Sequence, residues 1–410
     1  MKLHRLVTFA LPAMPSLVRC PLACLFFLAV IAGPFSDTAG AAAYTFTNIA
    51  DTDGIFAPTT QFVSGLGTAP LSISNTGTVA FSSLLKAGGN GVFAGNGGPV
   101  QSIALSSDPV FLGVGGASIN SAGTVAFRGI FDAGGEGVFT GSGGPVTAIA
   151  LSSEATFSSF GNPVISDAGT VGFQVNLVGG SRSILTRTGG STTTIAAESG
   201  PIFRNVAGNL SMNSTGTVAF LGGLKNGQGG FFTGGGGPPT TVALGNFSDI
   251  GVSAINDTGS VTFIPGSHDA VYVRDSSGLW IIADTTGPFA GFGNFSSINN
   301  SGKLAFLAGL DNGTGGIFTG PDPVADTVIL LGSSLFGSTV TRFGVVPAVV
   351  GELFGNTDLN DVGQVAFHYE LANGRQGIAV ATPTPEPGIA VSLALGILLL
   401  GAMRRRSFAG

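Results

Sequence analysis

A nine-residue pattern of apolar and polar positions recurs seven times along the chain. Its first copy, residues 73–81, reads apolar, two polar residues, a small residue, Gly, a polar residue and then Val-Ala-Phe. The glycines of the seven copies are Gly77, Gly123, Gly169, Gly216, Gly259, Gly302 and Gly363, with spacings of 46, 46, 47, 43, 43 and 61 residues. A period of about 45 residues is the length of one four-stranded propeller blade. The pattern therefore predicts an all-β, seven-bladed β-propeller.

Each copy contains further short apolar segments that are typical of strands. In the first copy, a strand is predicted at residues 91–93 and another at residues 102–105, with a Gly-rich turn between them. The Asn-x-x-Gly element before each Val-Ala-Phe segment predicts a tight hairpin turn, because Asn and Asp cap such turns and Gly accepts positive φ. We therefore interpret Asp167, Asp257 and Asp361 in these turns as structural residues and not as metal ligands.

The two ends of the repeat region complement each other. Residues 44–50 match an outer strand, whereas the seventh copy has no outer strand before Pro383. The first strand is therefore predicted to complete the last blade and close the ring, which removes exposed strand edges. An open β-solenoid is the alternative. The propeller is predicted to span residues 44–381.

The repeat unit also resembles a known propeller repeat. Its Asn-x-x-Gly turn and Val-Ala-Phe strand are similar to the TolB-like unit, in which a Ser-Pro-Asp-Gly turn precedes an Ile-Ala-Phe strand; the Pro is missing here. The resemblance implies that the inner strand ends at the turn, that Val-Ala-Phe is the second strand, and that the third and outer strands follow.

Residues 1–43 have the order of a secretory signal peptide. Lys2, Arg5 and Arg19 precede an apolar run over residues 22–32, and small residues follow up to position 43. Eleven apolar residues are too few to span a bilayer. Cys20 and Cys24, the two cysteines of the chain, lie in this segment, so the exported chain is predicted to lack disulfides.

Residues 382–410 form a second processing signal. Pro385, Glu386 and Pro387 precede an apolar stretch over residues 388–403, which is followed by Arg404, Arg405 and Arg406. This order resembles the PEP-CTERM sorting signal of Gram-negative bacteria. The resemblance implies cleavage by an exosortase near Pro-Glu-Pro, an inner-membrane anchor formed by a hydrophobic C-terminal helix before processing, and a cell-surface or extracellular location afterwards. A permanent membrane anchor is the alternative.

Charge excludes one class of partner. The full chain carries 16 basic and 22 acidic residues and a net charge of −6. Removal of both predicted signals leaves 10 basic and 20 acidic residues, that is 16 − 6 and 22 − 2, so the net charge becomes −10. Since no basic patch remains to neutralise phosphates, nucleic acid is not a predicted partner.

Candidate chemistry is sparse. The loops between second and third strands carry nine charges, which we interpret either as a recognition surface or as solvated loop residues: Lys86, Asp132, Glu136, Arg182, Lys225, Asp269, Asp311, Glu370 and Arg375. His268 and His368 remain after processing, too few for a zinc site. The segment 51–54 begins like a calcium loop but lacks the later ligands, so a turn is the preferred interpretation. We predict no catalytic residue, metal or cofactor.

The long spacing before Gly363 indicates an insertion at residues 332–355, which includes Phe336, Phe343 and Phe354. Its apolar character predicts a segment that folds over the ring mouth or forms an extra strand pair. It is either a lid or partner contact, or a decoration that covers a blade edge.

Together these features predict an exported, non-enzymatic bacterial surface or matrix protein that binds exopolysaccharide or other surface components. The alternative is a secreted hydrolase or lyase that acts on polysaccharide. An enzyme needs carboxylates paired at a fixed separation, and the repeats do not single out such a pair. One Trp and three Tyr argue against an aromatic platform for sugars.

Overall fold

The computed structural model describes residues 43–58, 71–245, 254–344 and 357–384. In these residues the regular structure is entirely β, with strands arranged in seven sheets that correspond to the seven predicted blades. The predicted signal peptide and C-terminal apolar helix lie outside the described residues. Within the part of the chain that the structure describes, no helix is long and apolar enough to cross a membrane.

Blades 1 to 4 follow one another along the chain. Each has an inner strand, which in blades 3 and 4 is split in two, followed by the second, third and outer strands. After β1 (Tyr44–Asp51), blade 1 contains β2 (Ser72–Ile73), β3 (Val79–Leu84), β4 (Asn90–Gly95) and β5 (Gln101–Leu105), and blade 2 contains β6 (Phe111–Ile119), β7 (Val125–Phe131), β8 (Glu136–Gly141) and β9 (Thr147–Leu151). Blade 3 contains β10 (Phe157–Phe160), β11 (Val164–Ile165), β12 (Val171–Leu177), β13 (Arg182–Thr188) and β14 (Ser191–Ala197), and blade 4 contains β15 (Phe203–Val206), β16 (Ser211–Met212), β17 (Val218–Leu224), β18 (Gly229–Gly234) and β19 (Thr240–Gly245).

Blades 5 and 6 have four strands each, and blade 7 is larger. Blade 5 contains β20 (Ala254–Ile255), β21 (Val261–Phe263), β22 (Ala270–Arg274) and β23 (Leu279–Asp284), and blade 6 contains β24 (Phe289–Ile298), β25 (Leu304–Leu310), β26 (Gly315–Phe318) and β27 (Thr327–Leu330). Blade 7 contains β28 (Ser334–Leu335), β29 (Ser338–Phe343), β30 (Thr357–Leu359), β31 (Val365–Leu371) and β32 (Gln376–Pro383), together with β1.

The second strands form the core of the blades. Val79, Ala80 and Phe81 are all at most 2% exposed, because each blade is covered by a neighbour on both faces and the strand therefore needs a continuous apolar run instead of alternation. Phe81 stacks on Phe93 of the third strand with ring centroids 5.6 Å apart. Blades 2 and 4 repeat this pair at 5.6 and 5.8 Å. The Val-Ala-Phe segment therefore recurs because its side chains pack between neighbouring blades.

The ring is closed by the first strand, as predicted. β1 pairs antiparallel with β32, from Tyr44 opposite Pro383 to Asp51 opposite Gly377, with a bulge after Asn48. The backbone N–H of Thr384 donates a further hydrogen bond of 2.8 Å to the carbonyl of Ala43. The last strand therefore continues two residues beyond the predicted boundary at position 381.

The first part of the insertion forms a short hairpin of which only one strand is extra, so the expected extra strand pair is present only in part. β28 and β29 make the hairpin, but β29 pairs with β31 as β10 pairs with β12 and β15 with β17, so β29 is the first half of a split inner strand and β28 alone is added. Phe336 and Phe343 belong to this part. Residues 345–356, which include Phe354, lie outside the described residues.

The seven repeat glycines occupy hairpin turns whose backbone conformation favours glycine over other residues. Their φ values lie between 79° and 87°, in the left-handed region that L-residues with a Cβ rarely adopt. In the first turn, the N–H of Gly77 donates to the carbonyl of Ser74 at 2.9 Å. Each of these glycines thus lies in a tight turn of the kind that the Asn-x-x-Gly pattern indicates.

In five of the seven turns, the side chain of the first polar residue also links neighbouring blades. Where it is Asn, its Nδ2 donates to the carbonyl of the equivalent residue in the next blade, and its Oδ1 accepts the N–H four residues along its own turn. The cross-blade bonds join Asn120 to Ser166 (3.3 Å), Asn213 to Asn256 (3.3 Å), Asn256 to Asn299 (2.9 Å), Asn299 to Asn360 (3.1 Å) and Asn360 to Ser74 (2.9 Å). Ser74 and Ser166 cap only their own turns, at 3.1 Å each.

The second polar residue adds another row of cross-blade bonds. The carboxylates of Asp167, Asp257 and Asp361 accept the backbone N–H of Ser121, Ser214 and Asn300, at 2.7, 2.7 and 2.8 Å. These bonds give the three aspartates the structural role that was expected. Sequence reasoning placed that role within one turn, whereas it lies between blades.

The inner strands surround a central channel of about 250 Å³. Ser72, Ser118 and Ser211 of the channel wall each accept an N–H from the next blade. In blade 7 the equivalent residue is Asp358, whose Oδ2 accepts the N–H of Ile73 at 2.9 Å. Burial of this carboxyl raises the pKa of Asp358 to about 6.

Candidate functional site: the closure pocket

A pocket of about 150 Å³ lies where the ring closes, between blades 7 and 1 on the face opposite the Asn-x-x-Gly turns. We call it the closure pocket. Its apolar wall includes Phe56, Phe81 and Ile378, and its polar lining residues are Asp51, Thr52, Ser82, Ser83, Arg342, His368, Tyr369, Glu370 and Gln376. It combines residues from the first strand, the insertion and two blades, so it exists only in the closed ring.

Strand β31 supplies the centre of the lining. His368 and Glu370 lie two residues apart and so share one face of the strand, while Tyr369 lies on the other. The Tyr369 hydroxyl donates to Asn48 Oδ1 at 2.9 Å. A Cβ at Gly377 would lie 2.5 Å from that hydroxyl, so only Gly allows this approach. Burial, and secondly the charge of Asp51, raise the pKa of Tyr369 well above its usual range.

The insertion contributes a charged wall to the closure pocket. Arg342 Nη1 donates to Glu370 Oε2 at 2.9 Å, and both side chains are about a quarter exposed. Gln376 Nε2 donates to the same oxygen at 3.3 Å. The Glu370 carboxylate is therefore held in place by two donors and is neutralised by one of them.

The acidic segment that resembles the start of a calcium loop is bound to an arginine instead. Asp51 Oδ1 accepts the N–H groups of Asp53 and Gly54, as in a turn. Arg375 Nη1 lies 3.3 Å from Asp53 Oδ2 and 3.9 Å from Asp51 Oδ2. Its Nη2 donates to the carbonyl of Phe336 in the insertion at 2.8 Å. Among the described residues, no group of three or more His, Cys, Asp or Glu side chains is arranged to hold a metal.

Two groups of the closure pocket have unused hydrogen-bonding capacity. The His368 imidazole is half-buried, and no hydrogen bond to it exists within the described residues. Desolvation lowers the pKa of His368 to about 4, so the ring is neutral at pH 7. Ser82 Oγ is buried and also has no partner in the described part of the chain. A neutral ligand with hydroxyl groups would satisfy the imidazole, and rotation of the Ser82 side chain would bring its Oγ to the same ligand.

The other predicted loop charges do not gather at one mouth. Glu136 is buried, pairs with Arg128 and accepts the N–H of Phe160 in the next blade. Arg182 pairs with Glu198 at 2.9 Å. Glu198 also accepts the N–H of Val206 in blade 4 at 3.2 Å, so both glutamates hold neighbouring blades together. Of the nine loop charges, Glu370 and Arg375 belong to the surroundings of the closure pocket.

His268 has a structural role as well. Its Nδ1 lies 3.0 Å from the carbonyl of Phe292 in blade 6, and its backbone φ is 54°. The backbone carbonyl of His268 accepts the N–H of Phe292 at 3.1 Å. The imidazole and this carbonyl therefore join blades 5 and 6.

Sequence reasoning did not single out Ser82, Arg342 or Gln376. One available signal was the position after the Phe of each repeat, which points between blades. It is polar at Ser82, Arg128, Gln174 and His368, and apolar at Leu221, Ile264 and Leu307. This division marks the polar junctions of the ring. Arg342 lies at the inner-strand position that Ser159 and Asn205 hold in blades 3 and 4, but the 61-residue spacing hid this equivalence in the sequence.

Comparison with known families adds one assignment. A family model described as "Family of unknown function (DUF7453)" matches residues 39–287, from just before β1 to the end of blade 5. The chain belongs to the DUF7453 family. No curated protein matches the sequence of this DUF7453 member.

Solved structures share the architecture of this DUF7453 chain at low identity. An acylaminoacyl peptidase of Pyrococcus horikoshii is 10% identical with a TM-score of 0.50, and the match covers 82% of this chain and 55% of the peptidase. A puromycin-hydrolyzing peptidase of Mycobacterium tuberculosis is 13% identical with a TM-score of 0.49, covering 84% and 55%. The six-bladed Aleuria aurantia lectin is 11% identical with a TM-score of 0.34, covering 61% and 91%. The chain spans about 55% of the length of the two peptidases, and the likeness shows the fold alone.

Proposed function

We propose that this chain is an exported bacterial surface or matrix protein without catalytic activity, and that its closure pocket binds a neutral saccharide unit of an exopolysaccharide. The observation that carries the proposal is the free hydrogen-bonding capacity of His368 and Ser82 beside an apolar wall. Sugars present hydroxyl groups at their edges and C–H groups on their ring faces, so they suit a pocket of this mixed character.

The size and charge of the pocket support the same ligand class. Its volume of about 150 Å³ is below the roughly 300–1,000 Å³ of pockets for drug-sized ligands, so it fits one small ring rather than a large cofactor. Glu370 is neutralised by Arg342, and His368 is uncharged at pH 7. A neutral ligand therefore suits the pocket better than an ionic one.

The binding proposal is tested with a glycan array and titration of the hits. His368→Ala and Ser82→Ala should each weaken binding, whereas Gln174→Ala, at the equivalent position between blades 3 and 4, should leave it unchanged. Equal binding by all three variants would place the ligand elsewhere. The array should be run beside a screen for hydrolysis and β-elimination, because turnover that His368→Ala abolishes would establish the alternative, a polysaccharide-acting enzyme with the neutral imidazole as its base.

Export is a separate part of the proposal and rests on the sequence signals. Exosortase would process the chain near Pro385, Glu386 and Pro387, with Arg404, Arg405 and Arg406 as the stop-transfer patch in the inner membrane. Changing Pro385, Glu386 and Pro387 to alanine should block processing without altering the melting temperature. Release of this variant into the medium at the wild-type level would refute the sorting assignment.

A further inference from the structure

One outer strand differs from the other blade rims. Leu279, Trp280 and Ile281 of β23 are 45%, 52% and 56% exposed. The exposed positions of the other outer strands that follow a third strand in sequence are mostly polar: Gln101 and Ser102 in blade 1, Thr147 in blade 2, Ser191 to Thr194 in blade 3, and Thr240 and Thr241 in blade 4. Polar rims keep sheet edges from pairing with other chains. Blade 5 lacks this protection.

The tryptophan of this strand is held in a fixed position. Trp280 Nε1 donates to Asp275 Oδ1 and Ser277 Oγ, at 3.3 Å each, so the indole lies over the turn that precedes the strand. The polar atom of the side chain is thereby satisfied within the chain. What remains exposed is the apolar ring, together with Leu279 and Ile281 on the other face of the strand.

We propose that β23 is a self-association surface, on which the strand pairs antiparallel with β23 of a second copy of this chain. The exposed triplet is symmetric about its centre. A two-fold axis at Trp280 pairs Leu279 of each copy with Ile281 of the other on one face of the joined sheet, and the two indoles with each other on the opposite face. Over these three residues, the outward backbone groups of β23, which is an edge strand among the described residues, hydrogen-bond to those of the second copy.

The charges at the ends of the strand fit the same arrangement. Arg274, beside Leu279, is exposed and forms no ion pair within the described residues. Asp284 ends the strand, and Thr286 occupies only its Oδ1. Antiparallel pairing turns the Arg274 end of one copy towards the Asp284 end of the other. A parallel arrangement, or an uncharged partner, would gain nothing from this distribution.

The patch contains three large side chains, which is small for a permanent interface, so association should depend on concentration. Trp280 is the one Trp of the 410-residue chain and reports on the contact directly. In the purified full chain, sedimentation should show a shift from monomer to dimer as concentration rises. The Trp emission maximum should move to shorter wavelength over the same range, because the indole leaves water.

Ile281→Thr gives β23 the polarity of the other rims and should weaken association by about tenfold, because the substitution occurs in both copies of the two-fold contact and a total loss of about 1.4 kcal/mol is tenfold. Arg274→Glu should also weaken it, and Arg274→Lys should not. Leu244→Thr on the blade 4 rim, where Leu244 is 46% exposed, is the matched control. A wild-type chain that stays monomeric with a constant emission maximum overturns the proposal, as does an Ile281→Thr variant with wild-type association. Capture of an extended peptide or a glycan by the monomeric chain would assign the rim to a different partner.

Discussion

The cross-blade hydrogen bonds of the turn asparagines should contribute measurably to stability, and Asn256 is the best place to test this. Its Nδ2 donates to the carbonyl of Asn299 at 2.9 Å, while its Oδ1 accepts the N–H groups of Thr258 and Ser260 at 3.1 and 2.9 Å. The side chain is 4% exposed. One residue thus caps its own turn and bridges to the next blade.

The chain itself shows how to separate these two roles. Ser74 and Ser166 hold the equivalent position and cap their turns at 3.1 Å without a cross-blade bond. Asn256→Ser should therefore remove only the bridge, and Asn256→Ala should remove both the bridge and the cap.

The magnitudes follow from the partners that are left. The carbonyl of Asn299 keeps its hydrogen bond from the N–H of Gly302 at 3.0 Å, so loss of the bridge leaves no orphaned acceptor. Asn256→Ser should then reduce the free energy of unfolding by about 1 kcal/mol. Asn256→Ala also removes the acceptor of the N–H groups of Thr258 and Ser260, which are exposed and half-buried, and should cost about 2 kcal/mol in total.

Equilibrium urea unfolding followed by circular dichroism measures both differences from the shift in midpoint. Asn226→Ser is the control, because Asn226 is exposed and bonds only to nearby Gln228; its effect should stay within about 0.5 kcal/mol. If Asn256→Ser unfolds like the wild type, the bridge contributes nothing. If it unfolds like Asn256→Ala, the whole effect belongs to the bridge and the turn cap contributes nothing. Either result refutes the reasoning.

Three further predictions concern the ring as a whole. Ser166→Asn should restore the missing bridge between blades 3 and 4 and raise the free energy of unfolding by about 0.5–1 kcal/mol in urea; an unchanged midpoint would count against it. Burial raises the pKa of Asp358 to about 6, so ionisation of this carboxyl opposes folding and stability should fall as pH rises from about 4 to 6. Burial lowers the pKa of His368 to about 4, so protonation of this imidazole opposes folding and stability should fall as pH drops from about 6.5 to 4. The Asp358→Asn variant should lose the first pH dependence, and the His368→Gln variant should lose the second. Parallel profiles of stability against pH for a variant and the wild type would contradict the assignment. Deletion of residues 44–50 should leave β32 as an open edge and cause aggregation with a lower melting temperature. A truncated chain that stays monomeric and melts like the wild type would show that the first strand does not hold the ring closed.

The repeat pattern was sufficient to predict the fold because its signals are local and repeated. Gly77 and its six equivalents mark turns that require positive φ, and Val-Ala-Phe marks strands buried on both faces. Closure was also predictable, because residues 44–50 match an outer strand that the seventh copy lacks. Each of these inferences came from comparing one copy of the repeat with the other copies.

The closure pocket was not predictable in the same way. Arg342 comes from the insertion, Asp51 from the first strand and Ser82 from blade 1, so their proximity depends on how the ring closes and not on any local pattern. The role of Glu136 was misjudged for a related reason: it follows a loop in sequence, but in the fold it begins a strand and its carboxylate is buried against the next blade. A charge between two strands is exposed only if no neighbouring blade covers it.

The pairing of Tyr44 with Pro383 also determines how the ring responds to mechanical load. The chain enters the ring and leaves it at the same end of one antiparallel strand pair. A force that pulls the two termini apart acts first on this outermost pair and then on Thr45 and Thr382, so the backbone hydrogen bonds break one after another and not all together. Seven blades held by many lateral contacts would thus open at a single seam under low force. A load applied elsewhere on the ring, for example through a ligand in the closure pocket, would instead be shared between blades 7 and 1.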